Sequence, residues 1–203
     1  MSIVLFLSIL RKSALFGVTH CAKKANMKIH GWLGIALSLT CTLTFSGVPS
    51  EYGATVVEAP FSFSEHVYDL TSAVNRARSE RKPLFIYYGA QGRDCPPCVQ
   101  FERFLEENKA DLVPHFKPSV IADVRGWLRS PKLIFVIDGE RYSFGELNRK
   151  FGDTRQKLWF PYVWYVTPEL RQIQQLGDGS GPSPTDDLFD VKKLKTMLTN
   201  GRK

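Results

Sequence analysis

The sequence predicts an α/β domain with a mixed central sheet flanked by helices on both faces. Three observations carry that reading. Helical stretches with one apolar face alternate along the chain with short apolar runs of strand character. A Cys95-Pro96-Pro97-Cys98 motif sits where one such run gives way to a helix. The composition is that of a folded domain: 203 residues, 43% apolar and 23% charged. It excludes bulk disorder and fibres, and four cysteines are too few for a disulfide-built scaffold.

The elements follow in order. Residues 64–82 read as a helix, with Val67, Leu70, Ala73, Val74 and Ala77 on one face and Arg76, Arg78, Glu80, Arg81 and Lys82 mostly opposite; Pro83 ends it. Residues 84–88, Leu-Phe-Ile-Tyr-Tyr, read as a buried strand. A loop at 89–94 leads to Cys95, which opens a second helix. Val99, Phe101, Phe104 and Leu105 line its inner side; Glu102, Arg103, Glu106 and Glu107 form its solvated face. Further strands are expected at 120–122 and 132–137, the latter closed by an Asp138-Gly139 turn. Residues 144–151 read as a short helix and 162–166 as a strand. Thr167-Pro168-Glu169 then turns the chain into an antiparallel partner at 170–176. A Gly/Ser/Pro loop at 177–184 precedes a final helix at 186–198, with Leu188, Val191, Leu194 and Leu198 inward. Residues 110–143 exceed what this plan needs and suggest an insertion.

Charge separates the chain into an address and a body. The net charge is +7, yet five of the 27 basic residues lie in the first fifty positions and all 20 acids follow them. The body is therefore nearly neutral and lacks the concentrated basic face of a nucleic-acid binder. Residues 1–48 read as a signal peptide or an N-terminal membrane anchor. Lys28 and His30 precede the apolar run 31–45, which meets small residues at Ser46 and Gly47. A start at Met27 gives a cleaner signal. Cleavage after Ser46 or after Ser50 fits the pattern, while residues 31–48 also reach the lower limit of a spanning helix. Residues 49–62 read as a linker and 63–203 as the folded domain. Cys21 and Cys41 belong to the address, so the body keeps Cys95 and Cys98. The expected location is periplasmic or otherwise exported, an oxidising compartment.

The motif carries redox chemistry. A helix N-terminus stabilises a thiolate on Cys95, and the two-residue spacer lets Cys98 close a small disulfide. The pair can exchange through a mixed disulfide with a substrate. Pro96 and Pro97 suit a first helical turn. A structural zinc site needs four ligands, and one CxxC with His66 and His115 has no familiar spacing. No metal and no cofactor is expected.

With these residues in view, the segment from Asp69-Leu70 to Leu105 resembles secreted thioredoxin-fold proteins of the SoxW-like and DsbD C-terminal-domain type. They share an amphipathic helix, a Lys82-Pro83-Leu84 entry to the central strand, and a CxxC at a helix start. The helix end from Leu147 to Phe151 with Gly152 looks like theirs, as does the stretch from Phe160-Pro161 to Val166. The hairpin from Thr167 to Gly177 completes a resemblance over roughly residues 65–200. It implies a thioredoxin-like fold and a thiol:disulfide oxidoreductase with Cys95 and Cys98 catalytic. It implies that Pro161 is the cis-proline facing the cysteines, and that Phe160 and Pro161 bind substrate. The implied partners are protein clients with disulfides or thiols and an envelope electron donor. Two features depart from the pattern: Asp94 stands where an aromatic residue is usual, and the strand 84–88 holds no acid.

Direction depends on how well the Cys95 thiolate is stabilised. Pro96 and Pro97 supply no N–H, and Asp94 opposes the negative charge, while Arg93 and the helix dipole favour it. The balance points to a reductant. An oxidant of exported proteins is one alternative. A non-catalytic interaction or chaperone module of an envelope assembly is another, binding through the Pro161 groove and the aromatics Trp159, Phe160, Tyr162 and Trp164.

Overall fold

The computed structural model describes residues 47–60, 62–90, 95–127, 132–155, 157–175 and 186–201. Residues 1–46 of the signal or anchor, with the start at Met27, Cys21 and Cys41, and the loop 177–184 lie outside the described residues, whereas Val48, also assigned to the address, is buried in the folded body. No helix among the described residues is long and apolar enough to cross a membrane.

The central sheet contains, in spatial order, β1 (Thr55–Glu58), β4 (Val120–Gly126), β3 (Leu84–Ala90) and β7 (Tyr162–Val166). β1 and β3 run parallel to β4, and β7 is antiparallel to β3, so the sheet is mixed. Every residue of β3 is buried, which is why its sequence is a continuous apolar run. A smaller sheet orders β2 (His66–Asp69), β5 (Leu133–Ile137) and β6 (Glu140–Ser143). β2 pairs parallel with β5, and β5 pairs with β6 through a tight hairpin. Asp138 and Gly139 turn that hairpin at φ 55° and 80°, the left-handed pair a two-residue turn demands.

Helices cover both faces of the central sheet. Strand alternation divides β3 between two cores. Leu84, Ile86 and Tyr88 pack with Ala73, Val74 and Ala77 of α1 (Thr71–Glu80) and with Phe135 of β5. Leu147 and Phe151 of α4 (Phe144–Phe151) close that core. Phe85 and Tyr87 point the other way. They meet α2 (Pro96–Glu107) through Phe101 and Leu105, and α3 (Lys109–Phe116) through Leu112 and Phe116. Leu194, Met197 and Leu198 of α5 (Val191–Asn200) complete the second core.

Several boundaries differ from the sequence reading. The segment 49–62, read as a linker, holds a 3-10 turn at Ser50–Tyr52 and the edge strand β1. Tyr52 is buried there and its hydroxyl donates to the Leu105 carbonyl at 2.8 Å. The helix expected at 64–82 is β2 followed by the shorter α1: His66 and Tyr68 face inward and pair along β5. The strand expected at 120–122 continues to Gly126. The expected insertion at 110–143 contains most of α3, all of β4 and the β5–β6 hairpin. The expected strand at 170–176 contributes one bridge, Val166 to Gln172. The last helix is split into a 3-10 turn at Asp186–Phe189 and α5, whose N-cap Asp190 accepts from the Lys192 and Lys193 amides.

Candidate functional site

β3 delivers the chain to the motif. Its last residue, Ala90, packs with Cys95 and Cys98 in a small buried cluster of its own. Cys95 is the N-cap of α2, Pro96 and Pro97 are its first two residues, and Cys98 is the third. Among those three only Cys98 has an N–H to offer a sulfur at the N-cap. The two cysteines are joined in a disulfide, with Cα atoms 5.3 Å apart. The Ala90 N–H donates to Cys98 Sγ at 3.4 Å, which favours negative charge on that sulfur. Cys95 is less accessible than a helix-start position suggests. It is 3% exposed, close to the 1% of Cys98, because Ala90 and Phe160 pack around the pair. Pro96 is exposed and Pro97 half-buried. Arg93 and Asp94 lie outside the described residues.

The Phe160–Pro161 peptide is cis. Phe160 packs on the cysteine cluster and tilts against Tyr88, with ring centroids 5.1 Å apart. The segment leading to it is clamped by a polar network. Arg155 forks onto Asp153, with Nε at 3.0 Å from Oδ1 and Nη2 at 2.6 Å from Oδ2. The same guanidinium donates to the Val163 carbonyl and lies 4.0 Å over the Tyr162 ring. Tyr162 donates its hydroxyl proton to Asp153 Oδ2 at 3.1 Å. Asn148 donates to the Arg155 carbonyl and accepts from Trp164 Nε1 at 2.7 Å. Of the aromatic residues expected to line a surface, Tyr162 and Trp164 are core residues. They are consecutive inward positions of β7. Trp159, at 49% exposed, is the one open to solvent, with Phe160 half-buried beside it.

Comparison with protein-family models, with curated proteins and with solved structures finds no match.

The sequence places Glu102 on the solvated face of α2. Four residues beyond Cys98, and so one turn along the helix, it instead turns toward the sheet. Tyr87 of β3 donates to its Oε1 at 3.4 Å. Burial, then the neighbouring Asp123 charge, pushes the Glu102 carboxyl up to about 7. Burial also raises Asp123, against the opposing pull of Arg125. Asp123 lies on β4 directly opposite Tyr87 in the sheet register. An acid inside the apolar run Val120-Ile121-Ala122-Asp123-Val124 is the signal that marks such a group in a sequence. A carboxyl raised in this way favours folding below its unfolded value. That contribution is lost as pH rises through about 7.

Proposed function

We propose that this chain is an exported, thioredoxin-like thiol:disulfide oxidoreductase that reduces client disulfides through Cys95 and Cys98. The observation that carries the reading is the packing of Phe160 onto the cysteine pair at the start of α2. The order of β1, β4, β3 and β7, with helices on both faces, agrees with it.

In the working cycle the reduced Cys95 thiolate attacks one sulfur of a client disulfide. The client S–S bond breaks, its other sulfur leaves as a thiolate, and Cys95 is held in a mixed disulfide. The Cys98 thiolate then attacks Cys95 Sγ. The protein disulfide closes and the second client sulfur departs. The client gains two electrons and the protein loses two. A dithiol donor of the envelope returns them by the same exchange. The Ala90 N–H supports charge on Cys98 as it becomes the nucleophile. Half-buried Phe160, packed on the cysteine pair, meets the client backbone.

Exposed Trp159 next to Phe160 also suits a binding module without redox turnover. Insulin reduction separates the two readings. The wild-type chain should accelerate it, and Cys95→Ser should fall to the uncatalysed rate. Client binding with equal, background reduction by both proteins would favour the module.

A further inference from the structure

A second constellation plays no part in the sulfur chemistry. It brings Glu102 of α2, Asp123 and Arg125 of β4, Glu58 of β1 and Tyr87 of β3 around the backbone of Gly47 and Val48. The Val48 N–H donates to Asp123 Oδ2 at 3.2 Å, and the Gly47 backbone N–H faces the Glu102 carboxyl and opposes its rise. A Cβ on residue 47 would stand 2.6 Å from Asp123 Oδ2 and 2.9 Å from Arg125 Nη2. With glycine at this position the backbone approaches both side-chain ends without displacing them. Asp123 is fully buried, and its Oδ1 has no hydrogen-bond partner among the described residues, an uncommon and costly state for a native acceptor. Arg125 binds both Asp123 Oδ2 and Glu58 Oε1 at 3.2 Å. One guanidinium thus faces three carboxyl groups. Among the described residues the site is short of positive charge and of donors.

Both shortages would be met at a single atom, the Gly47 nitrogen. Ser46 is a small residue directly after the apolar run of the address, which makes the Ser46–Gly47 bond a candidate for a leader peptidase. Hydrolysis there consumes one water and breaks the C–N bond. It leaves a carboxylate on Ser46 and an amine on Gly47, and the amine takes up a proton at neutral pH. One amide N–H becomes three ammonium N–H groups and a full positive charge. Cleavage after Ser50 would instead remove Gly47 and Val48 and leave the acids unserved.

We propose that Glu102 and Asp123 form a receptor for the α-ammonium of Gly47, created by cleavage of the Ser46–Gly47 bond. Processing then fixes the new terminus against α2 and β4 and stabilises the mature domain. In the uncut chain Glu102 holds its proton near neutrality. The ammonium turns both carboxyls into favourable partners. The inference rests on the export part of the proposed function and is independent of its redox part, so insulin reduction and N-terminal analysis can fail separately.

The test uses the full chain expressed in a host that exports it. Intact mass and N-terminal sequencing should give Gly47 as the first residue of the purified protein. A first residue at Glu51, or a retained leader, overturns the proposal. Unfolding midpoints are then compared for the processed protein and an uncut Ser46→Trp chain, each with and without Glu102→Gln. Glu102→Gln should lower the midpoint of the processed form and should not lower that of the uncut form. The difference should fade as pH rises past the ammonium range, ordinarily about 8. Equal shifts in both forms overturn the proposal. If Glu102→Gln does not fold, acylation of the wild-type Gly47 amine at neutral pH decides. It should run about 10-fold slower than in a free glycyl peptide, a shift of about one pKa unit. An equal rate contradicts the pairing.

Discussion

Cys98→Ser should accumulate covalent complexes with client proteins, and Cys95→Ser should accumulate none. Cys95 caps α2, where the helix dipole lowers the cost of a thiolate. Cys98 lies inside the first turn with its sulfur facing the Ala90 N–H. The first attack therefore falls to Cys95 and the resolving attack to Cys98. Removing the resolving thiol stops the cycle at the mixed disulfide, whereas removing the first stops it before any client is bound covalently. Turnover falls to background in both variants, so trapping is the readout that separates them. Non-reducing gels of exported proteins, followed by mass spectrometry, make the measurement. Equal trapping by both variants would reverse or dissolve the assignment.

Asp153→Ala should destabilise the domain by about 3–5 kcal/mol, the cost of breaking a buried ion pair. The Asp153 side chain is 0% exposed and that of Arg155 13%. The substitution removes the carboxylate that Arg155 grips with two nitrogens and that Tyr162 donates to. The guanidinium keeps its bond to the Val163 carbonyl but loses the Asp153 carboxylate. The same change loosens the segment ending at Phe160. Client capture by the Cys98→Ser trap should therefore weaken at temperatures where the variant is still folded. Asp153→Asn retains an acceptor and should lose less. Urea unfolding checks the stability, and a loss under about 1 kcal/mol would show a solvated, dispensable pair.

The sequence was legible where local chemistry and tertiary context agree. β3 announced itself because burial on both faces leaves no polar position from Leu84 to Tyr88. α4 matched its expected bounds because Ser143 and Glu146 form a capping box and Gly152 adopts the left-handed cap. β2 was hidden because Val67, Leu70 and Val74 fit a helical face as well as a strand leading into one. Only pairing with β5 decides between them. β6 has the polar sequence Glu-Arg-Tyr-Ser and no buried residue, so no apolar alternation marks it. Pro114 inside α3 disguised that helix. The cysteine motif was plain at the site, while the cover that Phe160 lays on it comes from a segment more than sixty residues away. Glu102 was misplaced because an acid on a helix ordinarily faces water. Its inward orientation shows only in the tertiary contact with Tyr87 of β3.

The reduction potential of the Cys95–Cys98 couple tests the central claim most directly. Pro96 and Pro97 leave Cys98 as the only N–H donor among the first three residues of α2. A weakly stabilised Cys95 thiolate makes the dithiol a good electron donor. Glutathione titration of the purified protein should place the couple nearer thioredoxin, about −270 mV, than the strong oxidant DsbA, about −120 mV. A value above roughly −150 mV, on the oxidant side of that scale, would contradict the assignment of this protein as a reductant.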